Sequence, residues 1–138
     1  MKTTGCDLCA DAGGQLLWRD TACRVVLVDE RGYPGFCRVI WNAHVAEMTD
    51  LAESEREHLM RVVFAVESGL RELLNPRKIN LASLGNMTPH LHWHVIPRFA
   101  NDPHFPQPVW GQQQREPRAE TAHELYARLR ATLASKLG

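Results

Sequence analysis

Residues 89–99 read Pro-His-Leu-His-Trp-His-Val-Ile-Pro-Arg-Phe, and this stretch constrains the chain more than any other. His90, His92 and His94 alternate with Leu91, Trp93 and Val95, a strict period of two that predicts a β-strand. A strand sends successive side chains to opposite faces, so the apolar trio is expected in a core and the three imidazoles on the other face. At about 3.3 Å per residue, neighbouring histidines are spaced by roughly 7 Å and the outer two by roughly 13 Å. A single metal ion holds its nitrogens at about 2.1 Å, so a straight strand cannot give all three rings to one ion. A row of imidazoles suits phosphates better: one ring attacks phosphorus while its neighbours donate hydrogen bonds to oxygen.

The rest of the chain reads as one domain, residues 1–138, long enough to bury a core. Its 16 basic and 16 acidic side chains cancel. No net field draws it to nucleic acid or to an anionic membrane, so any anion site must be local. No apolar run reaches the ~20 residues that cross a bilayer, and no signal region follows the first residues, so a cytoplasmic protein is expected. The four cysteines are then thiols or metal ligands rather than disulfides. Cys6-Asp7-Leu8-Cys9, within a loop over residues 1–14, is open among zinc binding, redox chemistry and accident; the redox reading wants a helix, and none is predicted there.

Short strands are predicted at residues 15–19, 23–29 and 36–42, the last two joined by the turn residues 30–35. Leu59, Val62, Val63, Val66, Leu70, Leu73 and Leu74 recur at helical spacing, predicting a helix from Glu53, capped by Thr49 or Asp50 and stopped by Asn75-Pro76. His58 on it reads as a solvated residue. Residues 78–84 form a strand that turns into the histidine stretch and pairs with it antiparallel. A proline-rich tail, residues 101–118, carries Trp110, which either lies near a site or anchors the tail. A C-terminal helix, residues 120–136, presents Ala122, Leu125, Leu129 and Leu133 on one stripe. The fold class is α+β, with an antiparallel sheet of about five strands, one long helix and a C-terminal helix.

His90-Leu91-His92-Trp93-His94-Val95-Ile96 resembles the signature of the histidine triad (HIT) family, whose members are nucleotide-binding hydrolases and transferases. The resemblance covers roughly residues 6–110. It implies that His92 is a nucleophile forming a covalent nucleotidyl-histidine, that His94 lies by the phosphate and leaving group, and that His90 is orienting or structural. It implies that Asp29 holds the ribose and Asn86 contacts phosphate, with Met87 where a hydroxyl residue is common and Thr88 one place later; Asn80 is a second polar candidate. In relatives with an N-terminal C-x-x-C, the matching set here is Cys6, Cys9, His44 and His90, a structural zinc site. The expected activity is at the α-phosphate of a nucleotide, with dinucleoside polyphosphates as the first substrate class. Nucleoside phosphoramidates are the alternative, or else a nucleotide- or zinc-binding regulatory module without turnover. The expected assembly is a homodimer through the long helix and residues 78–84.

Overall fold

A computed structural model of the chain describes residues 2–118 and 124–138. Five strands form one antiparallel sheet: β1 (Gln15–Arg19), β2 (Cys23–Leu27), β3 (Cys37–Trp41), β4 (Lys78–Ala82) and β5 (His92–Arg98). Their spatial order is β1-β2-β3-β5-β4. The histidine strand therefore lies inside the sheet, paired with β3 on one side and β4 on the other. Three helices accompany the sheet: α1 (Asp7–Ala10), α2 (Glu53–Leu74) and α3 (Leu125–Leu137). The α+β architecture expected from the sequence is what forms.

The sheet is two-faced. Val25, Val39 and Val95 point to one side and pack with Leu59, Val62, Val63, Val66 and Leu70 of α2 and Leu129 and Leu133 of α3. Each such aliphatic side chain, fully buried, contributes about 1.5–3 kcal/mol relative to exposure. The stripe of α2 is thus covered within one chain, and none of these valines is left over to seek a partner. The opposite face carries Val26, Arg38, Ile40, His92 and His94, which the register sets side by side: Val26 opposite Arg38, Arg38 opposite His94, and Ile40 opposite His92. The N-terminal loop covers part of this face through Leu8, packed on Val26 and Ile40.

Several local expectations are corrected. The long helix spans the predicted residues, but Asp50 belongs to a separate 3-10 turn, Met48–Asp50, and accepts the Glu47 N–H. The first turn of α2 is held by Glu55, which accepts the Ala52 N–H at 2.8 Å. Asn75 ends α2 in the left-handed conformation, φ 46°, as a helix terminus next to proline favours. The C-x-x-C does open a helical turn, α1, with Cys6 as its first flanking residue. Of the predicted C-terminal helix, Glu120 and Ala122 lie outside the described residues, and α3 begins at Leu125.

Candidate active site

The triad does not stay on one strand. β5 begins at His92; His90 and Leu91 precede it, held by His90 N–H to the Thr88 carbonyl and Leu91 N–H to the Val45 carbonyl, both 2.8 Å. That bend sends His90 to the N-terminal loop, while His92 and His94 remain side by side with ring centroids 4.9 Å apart. All three imidazoles are buried. Of the apolar trio, Leu91 and Val95 enter the core, whereas Trp93 is only partly buried and donates its Nε1–H to Met48 Sδ at 3.4 Å.

His92 donates its Nδ1–H to the His90 carbonyl at 2.6 Å. Its neutral ring therefore carries the lone pair on Nε2, the atom a nucleophilic imidazole needs. Burial, followed by the nearby Arg38 charge, lowers the His92 pKa despite that hydrogen bond, which keeps the ring unprotonated near neutrality. His94 is pushed down to about 4 by burial, then by His92 and Arg38, and its Nδ1 is buried without a partner. A ring so held is a neutral donor or acceptor at pH 7 rather than a reservoir of protons.

Both rings open into a cleft of about 730 Å³. One wall is the N-terminal loop, with Asp7, Leu8, Asp11 and Gly13; the other is the β4–β5 connection, from Leu84 to Thr88; Trp110 closes the His94 end. Asn86 and Thr88 line the cleft, and so does Met87, whose side chain is almost wholly exposed. Trp110 lies edge-on to His94 with centroids 5.0 Å apart. The tail is pinned by Val109 instead, buried against Tyr33, Phe36 and Ile96, which leaves Trp110 free to face the cleft.

Two predicted residues are not brought there. Asp29 is exposed and lines a separate depression of about 300 Å³ with Gly14, Gln15 and Tyr33, because β2 ends at Leu27 and the turn carries Asp29 past the cleft. Asn80 accepts a 2.8 Å hydrogen bond from Arg98 Nη1. Arg98 in turn is locked to Asp102 by two donors at 2.8 and 3.0 Å, so Asn80 belongs to a buried network that fastens the tail.

Arg38 was not legible as a site residue, yet among the described lining residues it is the one permanent cation. It stands opposite His94 in the sheet, donates Nη1–H to the Gly13 carbonyl at 3.2 Å, and keeps its buried Nε unpaired. The available signal was a charged residue inside the apolar run Cys37-Arg38-Val39-Ile40, since a buried guanidinium requires an anionic or carbonyl partner.

The second constellation is the expected metal set. Cys6 Sγ and Cys9 Sγ each lie 3.4 Å from His90 Nδ1, and Cys9 Sγ lies 3.4 Å from His44 Nδ1. All four ligand atoms lie within 4.8 Å of one another. Tetrahedral zinc, with sulfur at about 2.3 Å and nitrogen at about 2.0–2.1 Å, would separate S from N by about 3.5 Å. His90 also donates Nε2–H to the Trp41 carbonyl at 2.6 Å, which leaves the Nδ1 lone pair facing the thiols. The set fits a four-coordinate metal ion. A lesser cluster, Asp20, Cys23 and His58, is a hydrogen-bonded side-chain pair beside a buried thiol: His58 is half-buried against Asp20 at 2.7 Å, rather than solvated.

Comparison with known proteins identifies the family and the fold. The HIT domain model matches residues 11–101. A histidine triad protein from Marinobacter aquaeolei VT8 is 30% identical over 98% of each chain, with a TM-score of 0.79. One from Bradyrhizobium japonicum is 29% identical over 92% of each chain, with a TM-score of 0.75. A zinc-bound histidine triad family protein from Mycobacterium smegmatis, 23% identical over 95% of this chain and 94% of its own, has the same fold at a TM-score of 0.68. No curated protein matches the chain. A central strand of buried histidines facing a cleft, with a matching domain model over most of the sequence, places the chain in the HIT domain family.

Proposed function

We propose that the protein hydrolyses a nucleotide at its α-phosphate, or transfers the nucleotidyl group, through a covalent intermediate on His92. The observation that carries this reading is the His92 Nδ1–H bond to the His90 carbonyl, which leaves Nε2 free beside Arg38 and His94. Nε2 attacks phosphorus and forms a P–N bond as the bond to the leaving oxygen or nitrogen breaks. The departing group keeps the electron pair and takes up a proton from water. The ring then carries positive charge, which strengthens its bond to the His90 carbonyl. Water attacks the same phosphorus and gives its proton to the hydroxide left by the first step, the P–N bond breaks with its electron pair returning to Nε2, and His92 is neutral again. Arg38 and the neutral His94 ring are placed to stabilise the phosphoryl oxygens, and Asn86 and Thr88 lie where they can add hydrogen bonds.

Lining charge bears on the leaving group. Against Arg38 stand the carboxylates of Asp7 and Asp11, so the described wall offers little to a long polyphosphate chain. Of the two substrate classes, dinucleoside polyphosphates and nucleoside phosphoramidates, this balance favours the phosphoramidates, whose leaving amine carries no negative charge. A panel of both classes, followed by nucleoside monophosphate release, tests the reading. Release from phosphoramidates at higher kcat/KM supports it; release from neither class leaves a binding module without turnover.

The reading includes zinc on Cys6, Cys9, His44 and His90, whose part is structural: it would tie the N-terminal loop to His90. It also includes a cytoplasmic homodimer; among the described residues no helix is long and apolar enough to cross a membrane. Support for the dimer comes from β4, an edge strand with one face of backbone groups unpaired, and from Phe64, 53% exposed on α2. Light scattering at micromolar concentration is expected to give twice 15.7 kDa; a clean monomer would refute the assembly.

A further inference from the structure

The N-terminal loop has little of its own to hold it. α1 is four residues long, far below the length at which a helix stands alone, and Leu8 is its one buried residue. Yet Asp7, Leu8, Asp11 and Gly13 supply a whole wall of the cleft. Gly13 fits because it has no side chain: at φ 85° an added Cβ would lie 2.7 Å from Leu8 Cδ2 and 2.9 Å from Ile40 Cδ1.

Two fastenings compensate. The first is the cysteine–histidine set, whose two cysteines flank Asp7 and Leu8 directly. The second is Arg24, which rises from β2 beneath the loop. Its Nη2 donates to the Leu8 carbonyl at 2.7 Å and to the Asp11 carbonyl at 3.2 Å, and its Nε donates to the Ala12 carbonyl at 2.9 Å. Its remaining arm, Nη1, donates to Asn42 Oδ1 at 2.9 Å, at the end of β3 and two residues before His44. A guanidinium fork can serve carbonyls several residues apart at once; an ammonium cannot. Arg24 holds the backbone of the cleft wall without itself lining the cleft.

The structure assigns Arg24 the role of a positioning residue for nucleotide binding: with a metal ion on Cys6, Cys9, His44 and His90, it clasps residues 6–13 as one wall of the cleft. This rests on the nucleotide reading of the cleft. Loss of either clasp weakens nucleotide affinity and leaves the chemical step largely intact. The His90 carbonyl that orients His92 is held in addition by backbone bonds around it: His90 N–H to the Thr88 carbonyl, Leu91 N–H to the Val45 carbonyl and Trp41 N–H to the Leu91 carbonyl.

The test compares metal-replete wild type, chelator-treated wild type, Arg24→Met and Arg24→Lys. Adenosine monophosphate is the titrated ligand, steady-state kinetics separate KM from kcat, and amide hydrogen exchange is followed over residues 6–13. Each perturbation is expected to raise the dissociation constant and KM about tenfold, the worth of about one charge-assisted hydrogen bond, with kcat within about threefold. Exchange should quicken in residues 6–13 while α2 stays protected, which separates loop release from unfolding. Arg24→Lys is expected to behave like Arg24→Met, because the fork and not the charge does the holding. Unchanged affinity in both the Arg24 variants and the metal-free protein would overturn the proposal, as would loss of kcat with KM unchanged. If metal-replete wild type fails to bind adenosine monophosphate, the nucleotide reading fails, and the clasp is then judged on exchange alone: unaltered exchange over residues 6–13 overturns it.

Discussion

His92 donates its Nδ1–H to the backbone carbonyl of His90 over 2.6 Å, so the proposed nucleophile and a metal-ligand candidate are joined by one hydrogen bond. Two residues earlier in sequence, His90 has turned its ring the other way, to Cys6 and Cys9. The same short segment therefore builds a reactive imidazole on one side and a metal cradle on the other. For the proposed chemistry at the cleft neither ring needs to reorganise, which is what pre-positioned groups supply.

Arg38→Met is expected to lower kcat/KM by about 10²–10³, the usual effect of removing one donor from a developing phosphoryl charge. Its thermal midpoint should stay level or rise. The guanidinium is partly desolvated and its buried Nε has no partner, so an apolar side chain of similar length removes a cost. Kinetics and thermal unfolding on the same preparation check both halves, and unimpaired turnover would remove Arg38 from the site.

Protein purified without added metal should carry about one zinc ion per chain, and Cys9→Ala should carry far less. Structural zinc is held by roughly 10 kcal/mol or more, so a tight site survives purification. Elemental analysis decides. Less than about a tenth of an equivalent in reduced wild type would reject the site.

Acid should destabilise the fold through His94. Its pKa falls from 6.5 to about 4 on folding, so between those values the unfolded chain binds more protons than the folded one. Stability is therefore full above about pH 6.5 and is lost as pH falls toward about 4. The charged or titratable groups facing His94 are Arg38 from β3 and His92 on its own strand; Phe36 and Trp110, which also pack on it, carry no charge. Urea midpoints of wild type and His94→Gln across this window test the claim. The wild type should lose more, and equal losses would contradict it.

Residues with a periodic or type-specific signature were legible without coordinates. Alternation marked β5, helical spacing with the Asn75-Pro76 stop marked α2, and the family resemblance brought together Cys6, Cys9, His44 and His90 from three distant segments. What stayed hidden depends on a partner that no pattern names. Strand periodicity continues through His90, yet the Thr88 and Val45 carbonyls bend the chain away there. Asn80 has the right chemistry and the right sheet face, but Arg98 takes its oxygen first. Arg24 and Arg38 look alike in sequence, each a lone cation in a β-rich run, and only the loop above them separates a clasp from a cleft residue.

The most direct measurement is acid-free mass spectrometry of the protein mixed briefly with a nucleoside phosphoramidate or a dinucleoside polyphosphate. One nucleotidyl group is expected per chain, on the peptide holding His92, labile to acid and absent from His92→Ala. That variant should lose turnover by roughly a thousandfold or more while still binding nucleoside monophosphate. An adduct on another residue, or near-normal turnover by His92→Ala, would contradict the account.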